Sequence, residues 1–418
     1  MSAVTTRVVK KKRNMVNSRT LEPSGQREAH EDIHPRIPDY LVAAPLAAAS
    51  TVNLWKLESI RQIVPLDLTV ATMAPVAIFV LAVLASSPKR LRAVTPLLIF
   101  LGSLLPGLAL SSFAHPYSMQ KSIQLFTFIP LLMAGGMLLL GNARRQRAFI
   151  NTIVVLGVAI AIGIEVGGTV AAEGSERVGL EDGNTIALAR MCALAVVCLL
   201  VSSPLKRPTL PALGAAALCL HASFMTGSRG PLVAALMGIT IAVVFAAPVG
   251  SHQNTNKWER RLITRVLPLA AMLTLAWQFV QNSRLVTAFG GASDEVRVQL
   301  LLESLRLTAQ APWGLGWGDF VLHMNIGLRN DLQGWAQYPH NILAESLMEG
   351  GVIAFVVLTV ISWYALQGLW TLARESHPTM LALFITIYGS ALTSSDLTSN
   401  RVLWTLIGLG LVWRARAH

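Results

Sequence analysis

The stretch AQYPHNILAESLMEGGVIAFVVL places His340, Asn341, Glu345 and Glu349 at the head of a long apolar run, where a membrane segment is normally silent. An imidazole with an ordinary pKa near ~6.5 accepts a proton at neutral pH, so His340 suits the work of a general base. Pro339 before it and a helix after it put the ring at the mouth of that run, in reach of both lipid and water. The competing reading is an interfacial histidine that caps the helix or bonds to a loop carbonyl. Glu345 and Glu349 are four apart and share one helical face, with Glu349 about two turns below His340 at hydrocarbon depth. A carboxylate there should be paired. Glu349 either acts beside His340 or bonds to a neighbouring helix or to the Gly350–Gly351 backbone.

Arginines form the second group with chemistry to offer. Arg229 lies in the tight turn MTGSRGPLV, Arg190 inside an apolar run near its end, Arg297 in SDEVRVQLLLESLRLTAQ, and Arg401 in the short loop TSSDLTSNR. A guanidinium fork grips phosphate bidentately and stays charged in apolar surroundings, so several around one pocket suit a diphosphate. Ordinary surface ion pairing competes as a reading for Arg297 and Arg401. For Arg190 it competes poorly, because an arginine within a membrane span is costly and marks a site by default. Asp396 lies close enough in sequence to Arg401 to pair with it, as a structural carboxylate.

These residues need elements to hold them, and the elements are membrane spans. The 418-residue chain is 53% hydrophobic and 13% charged. Uncharged runs such as VTPLLIFLGSLLPGLALSSF reach the ~20 residues that cross a bilayer. Twelve apolar segments stand near 39–55, 65–86, 93–113, 123–141, 148–170, 184–203, 209–227, 230–249, 266–282, 341–366, 379–395 and 402–413. Alternate loops carry the basic clusters Lys89, Arg90, Arg92; Arg144, Arg145, Arg147; Lys206, Arg207; and Lys257, Arg260, Arg261, Arg265. Loops on the other side are poorer, with Lys56, Arg61, Lys121, Arg177, Arg229 and Arg401. By the positive-inside rule this predicts an all-α polytopic protein of about 12 transmembrane helices with both termini cytoplasmic. The polar head 1–38 reads as a disordered cytosolic tail without a signal-peptide core. Helices 1–9 then fill 39–282, a large outer loop fills 283–340, and helices 10–12 fill 341–418. Within the loop, Val298, Leu301, Leu302 and Leu305 share a face, which predicts an amphipathic helix against the membrane side of the protein.

Several function classes fall away. The net charge of +12 invites nucleic acid, but the tail and the cytoplasmic loops hold most of it, where orientation and anionic headgroups explain it. Cys192, Cys198 and Cys219 lie in apolar segments without metal-ligand or CxxC spacing. The glycines of PWGLGWGDF at 312–320 lack the strand-to-helix unit of a dinucleotide fold and read as a tight turn back to the membrane. No Ser-His-Asp arrangement, HExxH or Walker loop occurs, and no metal site or cofactor is expected. A twelve-span transporter or lipid flippase is a possible class; against it, no duplicated halves are evident and the reactive residues gather at one face.

The ordered set SRG at 228–230, Arg297, P-x-G-x-G-x-G-x-F at 312–320 and HNILAESLMEGGVIA resembles the membrane family of O-antigen ligases and polymerases. That family carries H-N-x-x-L-x-x-x-x-E-x-G-x-x-G. His340, Asn341, Glu349 and Gly351 match it, whereas Ala344 and Ala354 replace the usual Leu and Gly. The resemblance spans roughly 220–360. It implies a GT-C type glycosyltransferase of the bacterial inner membrane, metal-independent and inverting, with its site facing the periplasm. The implied partners are an undecaprenyl-diphosphate-linked O-antigen donor, a lipid A core acceptor and membrane lipids. His340 would be catalytic; Arg229 and Arg190, with Arg297, would bind the diphosphate; Asn341, Glu349, Asp396 and Arg401 would support. The weight on Arg229, Arg297 and His340 comes from the family, that on Arg190 and Asp396 from position alone. One large outer loop instead of two favours ligase over polymerase, and a protein O-oligosaccharyltransferase belongs to the same class.

Overall fold

The computed structural model describes residues 38–55, 67–86, 89–170, 178–180, 184–202, 209–245, 292–331, 338–375 and 378–417. The head to residue 37 and the segment 266–282 lie outside the described residues.

The chain is mostly helical, with one two-residue hairpin. The helices are α1 (Asp39–Thr51), α2 (Leu68–Ala85), α3 (Lys89–Ala93), α4 (Thr95–Leu110), α5 (Pro116–Phe126), α6 (Phe128–Leu139), α7 (Ala143–Gly167), α8 (Thr185–Val201), α9 (Leu210–Met225) and α10 (Arg229–Phe245). After the undescribed segment follow α11 (Ala292–Gln310), α12 (Phe320–His323), α13 (Ile326–Asp331), α14 (Ile342–Glu375), α15 (Thr379–Ser394) and α16 (Arg401–Ala417). The strands β1 (Thr169–Val170) and β2 (Val178–Gly179) pair antiparallel between α7 and α8. Asn142 and Asn184 begin α7 and α8, their amide oxygens accepting from N–H groups of the first turn that have no partner within the helix.

Among the described residues, α2, α7, α14 and the pair α5–α6, joined at Thr127, are long and apolar enough to cross a membrane. Shorter apolar helices include α4, α8, α9 and α15. Ile78, Leu98, Val155 and Val233 point outward, while Leu46, Met133, Leu194, Leu383 and Trp404 form the buried interior. An apolar exterior around an apolar interior is what a lipid solvent permits and water does not. The crossing of α14 and α16 depends on the absence of a side chain at two positions: a Cβ on Gly368 of α14 would strike the Gly410 carbonyl of α16, and one on Gly410 would strike Ala365 of α14. Glycine lets those two backbones meet.

Two expectations about placement need correction. Lys121 is not in an outer loop, because the helix begins at Pro116 and encloses it; its side chain is wholly buried. It tolerates burial because two carboxylates meet it there. The loop helix α11 does form, but its inward face is Leu300, Ser304 and Leu307, packed with Phe320, Met324 and Met348. Val298, Leu302 and Leu305 face outward and exposed. Glu303 can sit on the inner side because Arg306 (2.6 and 2.8 Å) and the Asn325 N–H (2.9 Å) satisfy it. These partners, Arg306 foremost, hold its carboxyl below the usual range.

The glycine-rich segment 312–320 does more than turn the chain. Helix α14 is broken at Gly351, whose φ of 78° and ψ of 179° end one helical stretch and start another. The break frees carbonyls that a helix end cannot satisfy internally. Leu315 N–H donates to Met348 O (2.9 Å), Gly316 N–H to Glu349 O (3.0 Å), and Val352 N–H returns a bond to Pro312 O (3.0 Å). Gly314, with φ of 105°, passes so close that a Cβ would stand 2.5 Å from the Glu349 carbonyl. The segment therefore plugs the break.

Candidate functional site

Asn341 sets the position of His340. Its Oδ1 accepts from the N–H groups of Leu343 (3.0 Å) and Ala344 (3.1 Å), capping α14, while its Nδ2 donates to Leu392 O (3.0 Å) in α15. The cap ties the start of α14 to the end of α15. His340, one residue earlier, adopts a left-handed φ of 56°, a conformation that costs a non-glycine residue energy and must be held by its surroundings. Its ring meets that of Tyr338 edge-on, centroids 4.5 Å apart. Nδ1 is buried with no hydrogen-bond partner among the described residues. Burial first, then the Arg297 guanidinium, pushes the imidazole down to about 4, against a smaller opposing pull from Asp396. The ring is thus neutral at pH 7, with a lone pair free to accept a proton. Burial and the nearby Asp396 push the Tyr338 hydroxyl the other way, keeping it protonated.

Below His340 lies a buried charge cluster. Lys121 Nζ stands 2.5 Å from Glu349 Oε2 and pairs equally closely with Glu345 Oε1, all three side chains being fully enclosed. Glu349 Oε2 also accepts from the Gly318 N–H (2.9 Å), and Glu345 Oε2 from the Leu397 N–H (2.9 Å). One ammonium therefore ties α5 to α14, the glycine-rich segment and the 395–400 loop together. Of the two readings of Glu349, the bond to a neighbouring helix is the one seen here, and its partner is a cation. Asp319 adds a further tie, its carboxylate accepting from the N–H (2.7 Å) and hydroxyl (3.0 Å) of Ser112.

Arg190 is buried and its fork is engaged: Nε donates to Ser390 Oγ (3.0 Å), Nη1 to Ser395 Oγ (3.3 Å), and Nη2 to the oxygens of Ser394 (3.3 and 3.4 Å). Asp396 does not pair with Arg401, contrary to the expectation from their spacing. Its carboxylate instead accepts from Tyr117 OH (3.1 Å), Thr398 Oγ1 (2.9 Å) and the Ser399 N–H (2.7 Å). A loop that folds onto its own aspartate turns that carboxylate inward, and Arg401, the first residue of α16, is carried over the Phe128 ring at 5.2 Å. Arg401 Nε and Nη1 are buried with no hydrogen-bond partner among the described residues.

The structure thus gathers His340, Asn341, Glu349, Arg190 and Asp396 around the 338–349 and 390–400 segments, with Arg297 close enough to act on His340. Arg229 begins α10, whose next residue, Gly230, lies against Thr393, but its side chain is outside what is described. Sequence reading missed Lys121, Tyr117 and Tyr338. A signal existed for Lys121: two carboxylates on one face of a span require a cation at similar depth.

None of the curated proteins compared with the chain matches it. Residues 214–359 match the family model described as O-antigen ligase. That stretch holds Arg229, Arg297, the glycine-rich segment and the helix from His340 through the Gly351 break, while Lys121, Arg190, Asp396 and Arg401 lie outside it in the sequence, Lys121 pairing with its Glu345 and Glu349. Over residues 214–359, about a third of its length, the chain is therefore similar to the O-antigen ligases.

Proposed function

We propose that this protein transfers O-antigen polysaccharide from undecaprenyl diphosphate to a sugar of the lipid A core, as a metal-independent, inverting glycosyltransferase of the GT-C type. The reading places it in the inner membrane with about twelve spans, both termini cytoplasmic and the site toward the periplasm. The observation that carries it is a neutral imidazole, His340, set beside the Arg297 guanidinium within the family match.

In this reaction His340 takes the proton of the acceptor hydroxyl as that oxygen bonds to the anomeric carbon. The anomeric carbon–oxygen bond to the carrier breaks, and its electron pair leaves on the diphosphate. Arg297 and Arg229 bind the diphosphate by their forks, and Arg190 adds positive potential from beneath while holding Ser390, Ser394 and Ser395. The diphosphate also neutralises Arg297, which lifts its repulsion from the imidazolium and makes His340 a stronger base once the donor is bound.

Lipopolysaccharide from a deletion strain tests the proposal. Loss of the long ladder, with carrier-linked polymer still present, is the expected result. Core bearing a single repeat unit assigns the protein to polymerisation instead, and an unchanged ladder removes it from the pathway.

A further inference from the structure

Beside Tyr338 lies a cavity of about 710 Å³ between the end of α1, the start of α2, α5 and the 395–401 loop. That volume falls in the range of small-molecule sites. Its walls include Asn53, Asp67, Tyr117, Gln124, Tyr338 and Arg401. Two of these residues carry buried polar atoms without partners among the described residues: Nε and Nη1 of Arg401, which is 6% exposed, and Oδ1 of Asn53. Leaving a buried donor or acceptor unsatisfied costs about 1–3 kcal/mol, so a wall built from such side chains gains from a polar occupant toward which they can turn. Asn53 itself is fixed, its Nδ2 donating to Ser399 O.

We infer that this cavity is a subsite for an uncharged glycosyl unit of the acceptor, a role that rests on the transferase reading above. Three features select a sugar. Its walls combine guanidinium and amide donors with amide and carboxylate acceptors, which matches hydroxyls that must both donate and accept. Aromatic rings of Tyr117, Phe128 and Tyr338 offer apolar faces to the C–H side of a pyranose. Asp67 and Asp396 lie near enough to act on the Arg401 charge, so the cavity does not attract anions as the Arg297 side does. Tyr338 lines the cavity and its ring meets that of His340, so a sugar seated there lies one ring away from the base, and the hydroxyl that reacts belongs to the adjoining part of the acceptor.

The test uses the purified full-length protein with lipid-linked donor and lipid A core glycolipid. Asn53→Ala, Gln124→Leu and Arg401→Gln should each raise the acceptor KM tenfold or more and leave the donor KM within twofold. A raised donor KM with an unmoved acceptor KM, or no change in either, overturns the assignment. A second measurement is independent of turnover: saturation-transfer NMR with dephosphorylated, delipidated core oligosaccharide. Binding to the wild type that is lost in Asn53→Ala and Gln124→Leu, and undisturbed by millimolar pyrophosphate, supports the subsite even if transfer fails and the transferase reading falls with it. No binding, equal binding to the variants, or displacement by pyrophosphate overturns it.

Discussion

Lys121 Nζ of α5 and Glu349 Oε2 of α14 stand 2.5 Å apart with both side chains fully buried, although 228 residues separate them in the chain. The same Glu349 oxygen accepts from Gly318, so the pair also anchors the segment that plugs the helix break at Gly351. A buried charge without its partner is far more costly than a buried pair. Lys121 therefore acts as a clamp on the scaffold of the site.

Lys121→Met should lower stability by about 3–5 kcal/mol, because Glu345 and Glu349 lose their cation. Adding Glu345→Gln and Glu349→Gln should recover much of that loss. Thermal unfolding of the single and triple variants in one detergent measures both effects; a triple variant no more stable than Lys121→Met would refute the clamp.

His340→Gln should reduce turnover by on the order of 10²–10⁴, since an amide can bond but cannot accept the proton. Donor binding should change little. Turnover close to wild type would reduce His340 to a positioning role and leave the arginines as the main source of rate.

With its imidazole pushed down to about 4, His340 stays unprotonated well below pH 6.5. Transfer should hold as pH falls through the ordinary histidine range and decline only toward the lowered value, somewhat earlier once donor binding neutralises Arg297. Arg297→Gln should move that acid limb to higher pH in the free enzyme. The same shift acts on stability. Below pH ~6.5 the unfolded chain binds a proton that folded His340 refuses, so this group's contribution is present above pH 6.5, falls between there and about 4, and then levels off. A pH profile of kcat/KM for wild type and Arg297→Gln decides the catalytic part; coincident limbs would count against the coupling.

Gly351→Ala should cost about 1–3 kcal/mol for its left-handed backbone alone, and more because the new Cβ meets the Trp313 carbonyl. Protease sensitivity of the 312–320 segment should rise in step with the loss of transfer. A variant as resistant and as active as wild type would show that the break does not depend on glycine.

Transfer by purified protein should persist in chelator, the proposed stabilisers of the leaving diphosphate being guanidinium groups. Inhibition by EDTA reversed by Mg²⁺ or Mn²⁺ would count decisively against this.

Much of the architecture was open to a one-dimensional reading, because spans are set by the length of apolar runs and helix starts by local caps such as Asn142, Asn184 and Asn341. The family motif likewise lies in consecutive residues, so His340, Asn341 and Glu349 could be named from their order. What the sequence could not determine is which distant groups share a charge or a hydrogen bond. Asp396 and Arg401 are five apart and read as a pair, yet the loop turns the carboxylate to Tyr117 and carries the guanidinium to Phe128. Lys121 read as a loop cation, yet it is buried against two carboxylates of another helix. The outward face of α11 read as its packing face, since an apolar stripe does not say which neighbour it will meet. Pairing of buried charges depends on depth and on contacts between helices far apart in the chain, and only the tertiary structure decides those.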